Sequence, residues 1–221
     1  MKYQLVIFDW DGTLMDSTGR IVDCMQKAAA DMQLPPLSAF AVQQIIGLGL
    51  PEAISTLYPA LSAERVMQMR DQYASHFIAA ESTPSALFAG AQALLDTLQE
   101  KNVRIAVATG KSRKGLNRVL ASSGLADYFH ITRCADESGS KPDPKMLMEI
   151  VDALSVPVQD AVMIGDTSFD LEMAQRAGID RIGVTYGAHS RDILARHQPL
   201  ALCDRLDQVL MHIQQTEKEL G

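Results

Sequence analysis

Cysteine is scarce in this chain. Cys24, Cys134 and Cys203 are its only three, far apart and odd in number. That spacing excludes a disulfide framework and any paired metal or redox motif, and it fits packing residues in a reducing compartment. Basic tracts are absent and the net charge is −7, which excludes a general nucleic-acid binder. No apolar run is long enough to span a bilayer. The start, Met1-Lys2-Tyr3-Gln4, leads into a strand pattern rather than the basic-then-apolar pattern of a secretory leader. These absences point to a cytoplasmic protein whose partner is neither nucleic acid nor membrane. The remaining bulk is ordinary: 47% hydrophobic and 21% charged residues in 221 fit one α/β core with a small insertion, or two modest domains.

The hydrophobic pattern supplies the organisation. Tyr3 to Phe8 is an apolar run that reads as a buried strand. From residue 17 to 82 the period becomes helical. Ile21, Cys24, Met25 and Ala28 recur at helix spacing, and Pro35-Pro36, Gly47-Leu48-Gly49 and Pro59 separate the later helical stretches of this segment. After Ser82-Thr83-Pro84 helices and strands alternate. Helices are expected at Ala89–Glu100, Lys114–Ser123, Lys145–Leu154, Ser168–Ala177 and Leu206–Gln215, with strands at Arg104–Ala108, Phe129–Arg133, Ala161–Ile164 and Arg181–Val184. Gly124 and Gly178 are expected to end two of the helices. Alternation of this kind predicts a Rossmann-like parallel sheet with helices on both faces. Residues 1–16 and 83–221 form that core, and residues 17–82 an inserted helical domain.

Ligands of open α/β sheets bind beyond the carboxyl ends of the strands. Asp9, Thr109, Lys141 and Asp166 each follow a predicted strand, so they should meet at one edge. Asp9 and Asp11 are two apart and, in extended backbone, face the same side. Two acids there repel unless a cation or proton offsets them. Asp9 is a candidate nucleophile, because a carboxylate can attack phosphorus and split one displacement into two. Asp11 is a candidate general acid and base. The alternative for both is a turn aspartate. Gly12, lacking a Cβ, would let backbone N–H groups approach a phosphate. Thr109 and Gly110 can hold a phosphoryl oxygen, although a threonine there is also a natural helix N-cap. Lys141, in a loop stiffened by Pro142 and Pro144, can neutralise developing charge. Asp166 and Asp170 add oxygen ligands of the kind Mg²⁺ prefers. Asp170 could touch the ion, orient Lys141, or simply complement a helix N-terminus.

Four segments carry a resemblance. Phe8-Asp9-Trp10-Asp11-Gly12-Thr13-Leu14, Ala108-Thr109-Gly110, Ser140-Lys141-Pro142 and Gly165-Asp166-Thr167-Ser168-Phe169-Asp170 resemble, in order, the four motifs of the haloacid dehalogenase superfamily of phosphohydrolases. The resemblance implies that Asp9 is the nucleophile, Asp11 the acid and base, Thr109 a phosphate ligand and Lys141 the residue that steadies it. It implies Mg²⁺ held by Asp9, the backbone carbonyl of Asp11, and Asp166. The helical insertion resembles the small cap of phosphoglycolate phosphatases and β-phosphoglucomutases, and Gly47-Leu48-Gly49-Leu50 falls where a substrate-specificity loop would lie. The expectation is an Mg²⁺-dependent phosphatase for a small phosphorylated metabolite, acting as monomer or homodimer. A phosphosugar mutase is the alternative, with Arg20, Lys27, Arg65, Arg70 and His76 as cap cations to anchor a sugar. A phospho-aspartate signalling module is a third, disfavoured by the cap.

Overall fold

A computed structural model describes residues 1–214. The chain opens with β1 (Leu5–Phe8) and then forms four helices, α1 (Thr18–Asp31), α2 (Ala39–Gln43), α3 (Leu50–Leu57) and α4 (Ala63–Ala80). It continues with α5 (Ala91–Glu100), β2 (Arg104–Thr109), α6 (Arg113–Ser123), β3 (Ile131–Cys134), α7 (Ala135–Ser138) and α8 (Lys145–Leu154). It ends with β4 (Ala161–Gly165), α9 (Ser168–Ala177), β5 (Asp180–Val184), α10 (Arg191–Ala195), β6 (Ala201–Cys203) and α11 (Leu206–Gln214). No helix among the described residues is long and apolar enough to cross a membrane.

The six strands make one sheet in the order β3-β2-β1-β4-β5-β6, and every neighbouring pair is parallel. A parallel sheet is covered on both faces, so its strands are apolar throughout. Alternation then sorts their side chains. Val6 and Phe8 join Ile105, Val107, Val162 and Ile164 in one core, packed with Leu94 and Leu98 of α5 and Val209 of α11. Leu5 and Ile7 join Ala106, Ala108 and Met163 in the other, packed with Leu147 and Ile150 of α8 and Met173 of α9. The helical insertion has a core of its own, in which Ile21, Met25 and Ala28 of α1 meet Val66, Met69 and Phe77 of α4.

The predicted α8 and α9 match the observed bounds, and Gly124 (φ 70°) and Gly178 (φ 69°) close α6 and α9 in the left-handed conformation. Elsewhere α6 and β5 begin one residue earlier than expected, β2, β3 and β4 end one residue later, and three starts shift by two residues. β1 begins at Leu5, although Tyr3 is buried and its hydroxyl donates to Asp180 at 2.6 Å. The helix expected from Ala89 begins at Ala91, because Gly90 turns left-handed at φ 86°. The strand expected from Phe129 begins at Ile131, after a 3-10 turn at Ala126–Tyr128, and Phe129 instead packs edge-on against Trp10. α7, α10 and β6 were not predicted: they span four, five and three residues, too few to show a period. The predicted end of the last helix, Gln215, lies outside the described residues.

β1 sits at the centre, flanked by β2 and β4. The chain runs outward to β2 and β3 on one side and β4 to β6 on the other, so β1 and β4 border the crevice where such sheets bind ligands. Ile7 is fully buried in that central strand. Ile7→Ala is expected to cost about 2–5 kcal/mol and Ile7→Val about 0.5–1.5 kcal/mol, read from urea unfolding.

Candidate active site

Extension of the β1 ladder places Asp9: its N–H donates to the Ile164 carbonyl at 2.9 Å, one step past the last β1 residue. The Asp9 carboxylate is buried. Lys141 Nζ lies 2.7 Å from Asp9 Oδ1 and 2.6 Å from Asp170 Oδ1, and the lysine side chain is fully buried. Asp9 Oδ2 has no hydrogen-bond partner. Lys141 arrives by a longer route than predicted, since the short helix α7 separates it from β3. Burial opposes its charge, but Asp170 and Asp9 outweigh that and push its pKa up.

Asp170 owes its position to helix capping. It is in the first turn of α9, where Thr167 caps the helix, and its Oδ2 accepts from the Thr167 N–H at 3.0 Å and hydroxyl at 2.7 Å. Both Asp170 oxygens are therefore engaged, one by the cap and one by Lys141. Of the roles expected for Asp170, the geometry supports orienting Lys141 and complementing the helix start. Asp166 follows β4 and is equally fixed: Oδ1 accepts from the Thr13 hydroxyl at 2.8 Å and Oδ2 from the Ala188 N–H at 2.8 Å. Burial, then the charge of Asp170, raises its pKa to about 7 against those two bonds. Burial likewise raises Asp9 well above the carboxylate range; Lys141 pulls it down, while Asp170 and Asp166 push it up.

The expected repulsion between Asp9 and Asp11 is thus not the dominant one. Asp9 is opposed by Asp170 and Asp166. Asp11 turns to different partners. Lys111 Nζ contacts its Oδ1 at 3.0 Å and Oδ2 at 2.9 Å, and the Ser17 hydroxyl donates to Oδ1 at 2.6 Å. Gly12 also differs from expectation. Its N–H is engaged by the Met15 carbonyl at 2.9 Å, so it is not free for a phosphate. A Cβ at Gly12 would lie 2.2 Å from Asp166 Oδ2, and its φ is +83°. Glycine is needed there for close approach to a carboxylate and for the left-handed turn.

Thr109 ends β2, is buried, and accepts from the Lys111 N–H at 3.2 Å. It does not cap α6; Ser112 does, accepting from the Gly115 N–H. A Cβ on Gly110 would lie 2.5 Å from the Leu48 carbonyl oxygen and 2.6 Å from that of Gly47. The insertion's glycine loop therefore rests on the core beside Thr109, and its Gly49 N–H donates to Ser140 at 2.8 Å. It is more than a turn between helices.

Asp9, Asp11, Thr109 and Gly110 open into a cavity of about 380 Å³ between the insertion and the sheet edge. The insertion lines it with Met25, Leu48, Tyr73 and Phe77, and the core adds Lys111 and Arg118. Of the five cap cations named from the sequence, Arg70 alone lines this cavity. His76 pairs with Asp31, and Arg65 donates to the Met32 carbonyl. Thr13, Ser17, Lys111, Tyr73 and Phe77 were not singled out from sequence. Lys111 carried a usable signal, since it stands two residues after Thr109 at the same strand end.

The acidic set suits a cation. Oxygens of Asp9, Asp166 and Asp170 lie within 4.8 Å of one another, all buried. Three carboxylates face the single ammonium of Lys141, and Asp9 Oδ2 is an unpartnered acceptor. Buried charge without a partner is costly, and an all-oxygen donor set matches a hard divalent ion.

Residues 6–184 match the family of haloacid dehalogenase-like hydrolases. The chain belongs to that family. It is 33% identical over 210 residues to the probable phosphatase IndB of Dickeya dadantii, covering 93% of this chain and 91% of that protein. It is 30% identical over 208 residues to a phosphoglycolate phosphatase of Rhodospirillum rubrum, covering 90% and 86%. The fold superposes on a hydrolase from Pseudomonas syringae with TM-score 0.86 at 24% identity, covering 94% and 96% of the two chains. Four motif segments, the first and last about 150 residues apart in sequence, thus gather at one edge of the sheet in an enzyme of this family.

The central ion pair can be tested without substrate. Lys141→Met leaves buried carboxylates with no cation and is expected to cost about 3–5 kcal/mol, measured by urea unfolding in chelator-treated buffer. Asp170→Asn in the same background should recover part of that loss, because it removes one of the stranded charges.

Proposed function

We propose that this phosphatase hydrolyses a small phosphate monoester, of phosphoglycolate or sugar-phosphate type, through a phospho-Asp9 intermediate and with Mg²⁺. The observation that carries the reading is Asp9 itself. Its carboxylate is buried at the end of the central strand, braced by Lys141 on one oxygen and unpartnered on the other, and Asp9 lines the cavity. The relative from Rhodospirillum rubrum carries the phosphoglycolate phosphatase name, which supports the substrate class.

In this reading Asp9 forms a bond to phosphorus as the ester P–O bond breaks, and Asp11 gives a proton to the departing oxygen. Asp11 then takes a proton from water, which attacks phosphorus and frees Asp9 and inorganic phosphate. The Thr109 hydroxyl, the Gly110 backbone and the Lys141 ammonium hold phosphoryl oxygens at the end of β2 and beside Asp9. Lys141 is suited to this because two carboxylates fix it and no water reaches it. Mg²⁺, when held by Asp9, the Asp11 backbone carbonyl and Asp166, with Asp170 nearby, supplies charge neutralisation at the phosphoryl group. The insertion forms one wall of the cavity, and its closure over a bound ester would exclude water.

The direct test is phosphate release from an aryl phosphate with and without Mg²⁺. Release is expected to need Mg²⁺ and to vanish in Asp9→Asn, and Asp11→Asn should lose roughly 10²–10⁴-fold on an unactivated ester. Full activity in Asp9→Asn, or isomerisation of a hexose phosphate without phosphate release, would sink the proposal.

Proton linkage offers a second test. Asp166 binds its proton with a pKa of about 7 in the fold against 3.8 when unperturbed. Between those values the folded state holds more protons, so raising the pH removes stability from metal-free protein. Mg²⁺ needs the ionised carboxylates. Added Mg²⁺ should therefore raise the Tm more at pH 8 than at pH 5. An equal shift at both values would contradict binding through this acidic set.

A further inference from the structure

The ring of Phe77 covers Lys111, and Lys111 in turn grips Asp11. Lys111 Nζ lies 4.6 Å from the Phe77 ring centroid, on the insertion's longest helix, and reaches both oxygens of Asp11 in the core. The ion pair is largely shielded, with about 10% and 13% of the two side chains exposed. The base of Lys111 is anchored as well, through its N–H on Thr109. The sequence brings these groups from three distant segments, 100 residues separating Asp11 from Lys111.

We infer that Lys111 is the positioning residue for the Asp11 carboxylate, and that Phe77 makes its grip depend on the insertion being seated. The inference rests on Asp11 acting as the general acid proposed above. A carboxyl group that must deliver a proton to a leaving oxygen, and as a carboxylate take one from water, needs a fixed orientation within hydrogen-bond reach of its partner. Ser17 alone contacts one Asp11 oxygen and leaves rotation about the side chain free; Lys111 spans both oxygens and removes it. The cation is held in turn by the face of an aromatic ring, an attraction that strengthens when water is excluded. When the insertion lifts away, Phe77 leaves with it, and the ammonium regains water. The acid is then aimed only while the cavity is closed around an ester. That arrangement would limit proton delivery in the open state.

The experiment compares kcat/KM for two esters, p-nitrophenyl phosphate and an alkyl phosphate such as phosphoglycolate. This parameter covers steps up to departure of the leaving group. An aryl oxide leaves without a proton, whereas an alkoxide needs one, so a fault in aiming Asp11 falls on the alkyl ester alone. Asp11→Asn sets the full size of the selective loss. Lys111→Met should lose roughly ten- to a hundredfold on the alkyl ester, the lower part of what general acid catalysis contributes, with less than about threefold on the aryl ester. Phe77→Leu should lose selectively too, by less, and should add no further selective loss in the Lys111→Met background, as expected of residues acting in one chain. Retained aryl phosphatase activity shows that the variants fold. A uniform loss on both esters in Lys111→Met, or additive effects of the two substitutions, overturns the inference. If Asp11→Asn itself is not selective, the proton-donor role has failed, and the inference with it.

Discussion

A single ammonium group, that of Lys141, holds the centre of this molecule together. It lies fully buried between Asp9 and Asp170, at 2.7 and 2.6 Å. Burial of a lysine is unfavourable unless its charge is met, and here two carboxylates meet it. The dependence runs both ways. Asp9 and Asp170, with Asp166 close by, would be a repulsive cluster in a region without water to screen it. The position of each acid is then dictated by a different local rule. Asp9 continues a parallel ladder, Asp166 ends the neighbouring strand, and Asp170 completes a capping box at the start of α9. The pairing of β1 with β4 brings these ends together.

The second organising feature is the meeting of two separately packed bodies. The sheet has its cores on either face, and the insertion has one of its own. Where they meet, glycines permit backbone contact, with the Gly47 and Leu48 carbonyls lying where a Cβ of Gly110 would be. Such a contact rests on few side chains, and it encloses the cavity over Asp9 and Asp11. In the proposed reaction the insertion would shape the space for whatever carries the phosphate, while the sheet edge would handle the phosphoryl group.

Much of the fold was legible in the amino-acid pattern. β1, β2, β4 and β5 are apolar runs with turn-forming neighbours, and α8 and α9 are amphipathic segments with clear ends. Elements of three to five residues, α7, α10 and β6, escaped because so short a stretch carries no period. The candidate site was legible for a different reason. Asp9, Thr109 and Asp166 each stand at or just after a strand, and parallel strands all point their carboxyl ends the same way; Lys141 reaches that edge only by way of α7. Ser17 and Thr13 were not legible, since a serine and a threonine in such loops are common without any such role, whereas Lys111 could be found only from its place two residues after Thr109.

The amino-acid sequence by itself determined which groups could do chemistry and at which edge of the sheet they would gather. Periodicity and strand ends suffice for that, because they are local. Tertiary structure alone decided which charge meets which. Lys141 serves Asp9 and Asp170, while Lys111 serves Asp11. Gly12 makes room for Asp166, whose carboxylate lies where a Cβ would clash. Pairings of this kind are set by distances of a few ångströms between segments about a hundred residues apart, and Coulomb interaction in a buried site is decisive over that range. No pattern within one segment can specify them.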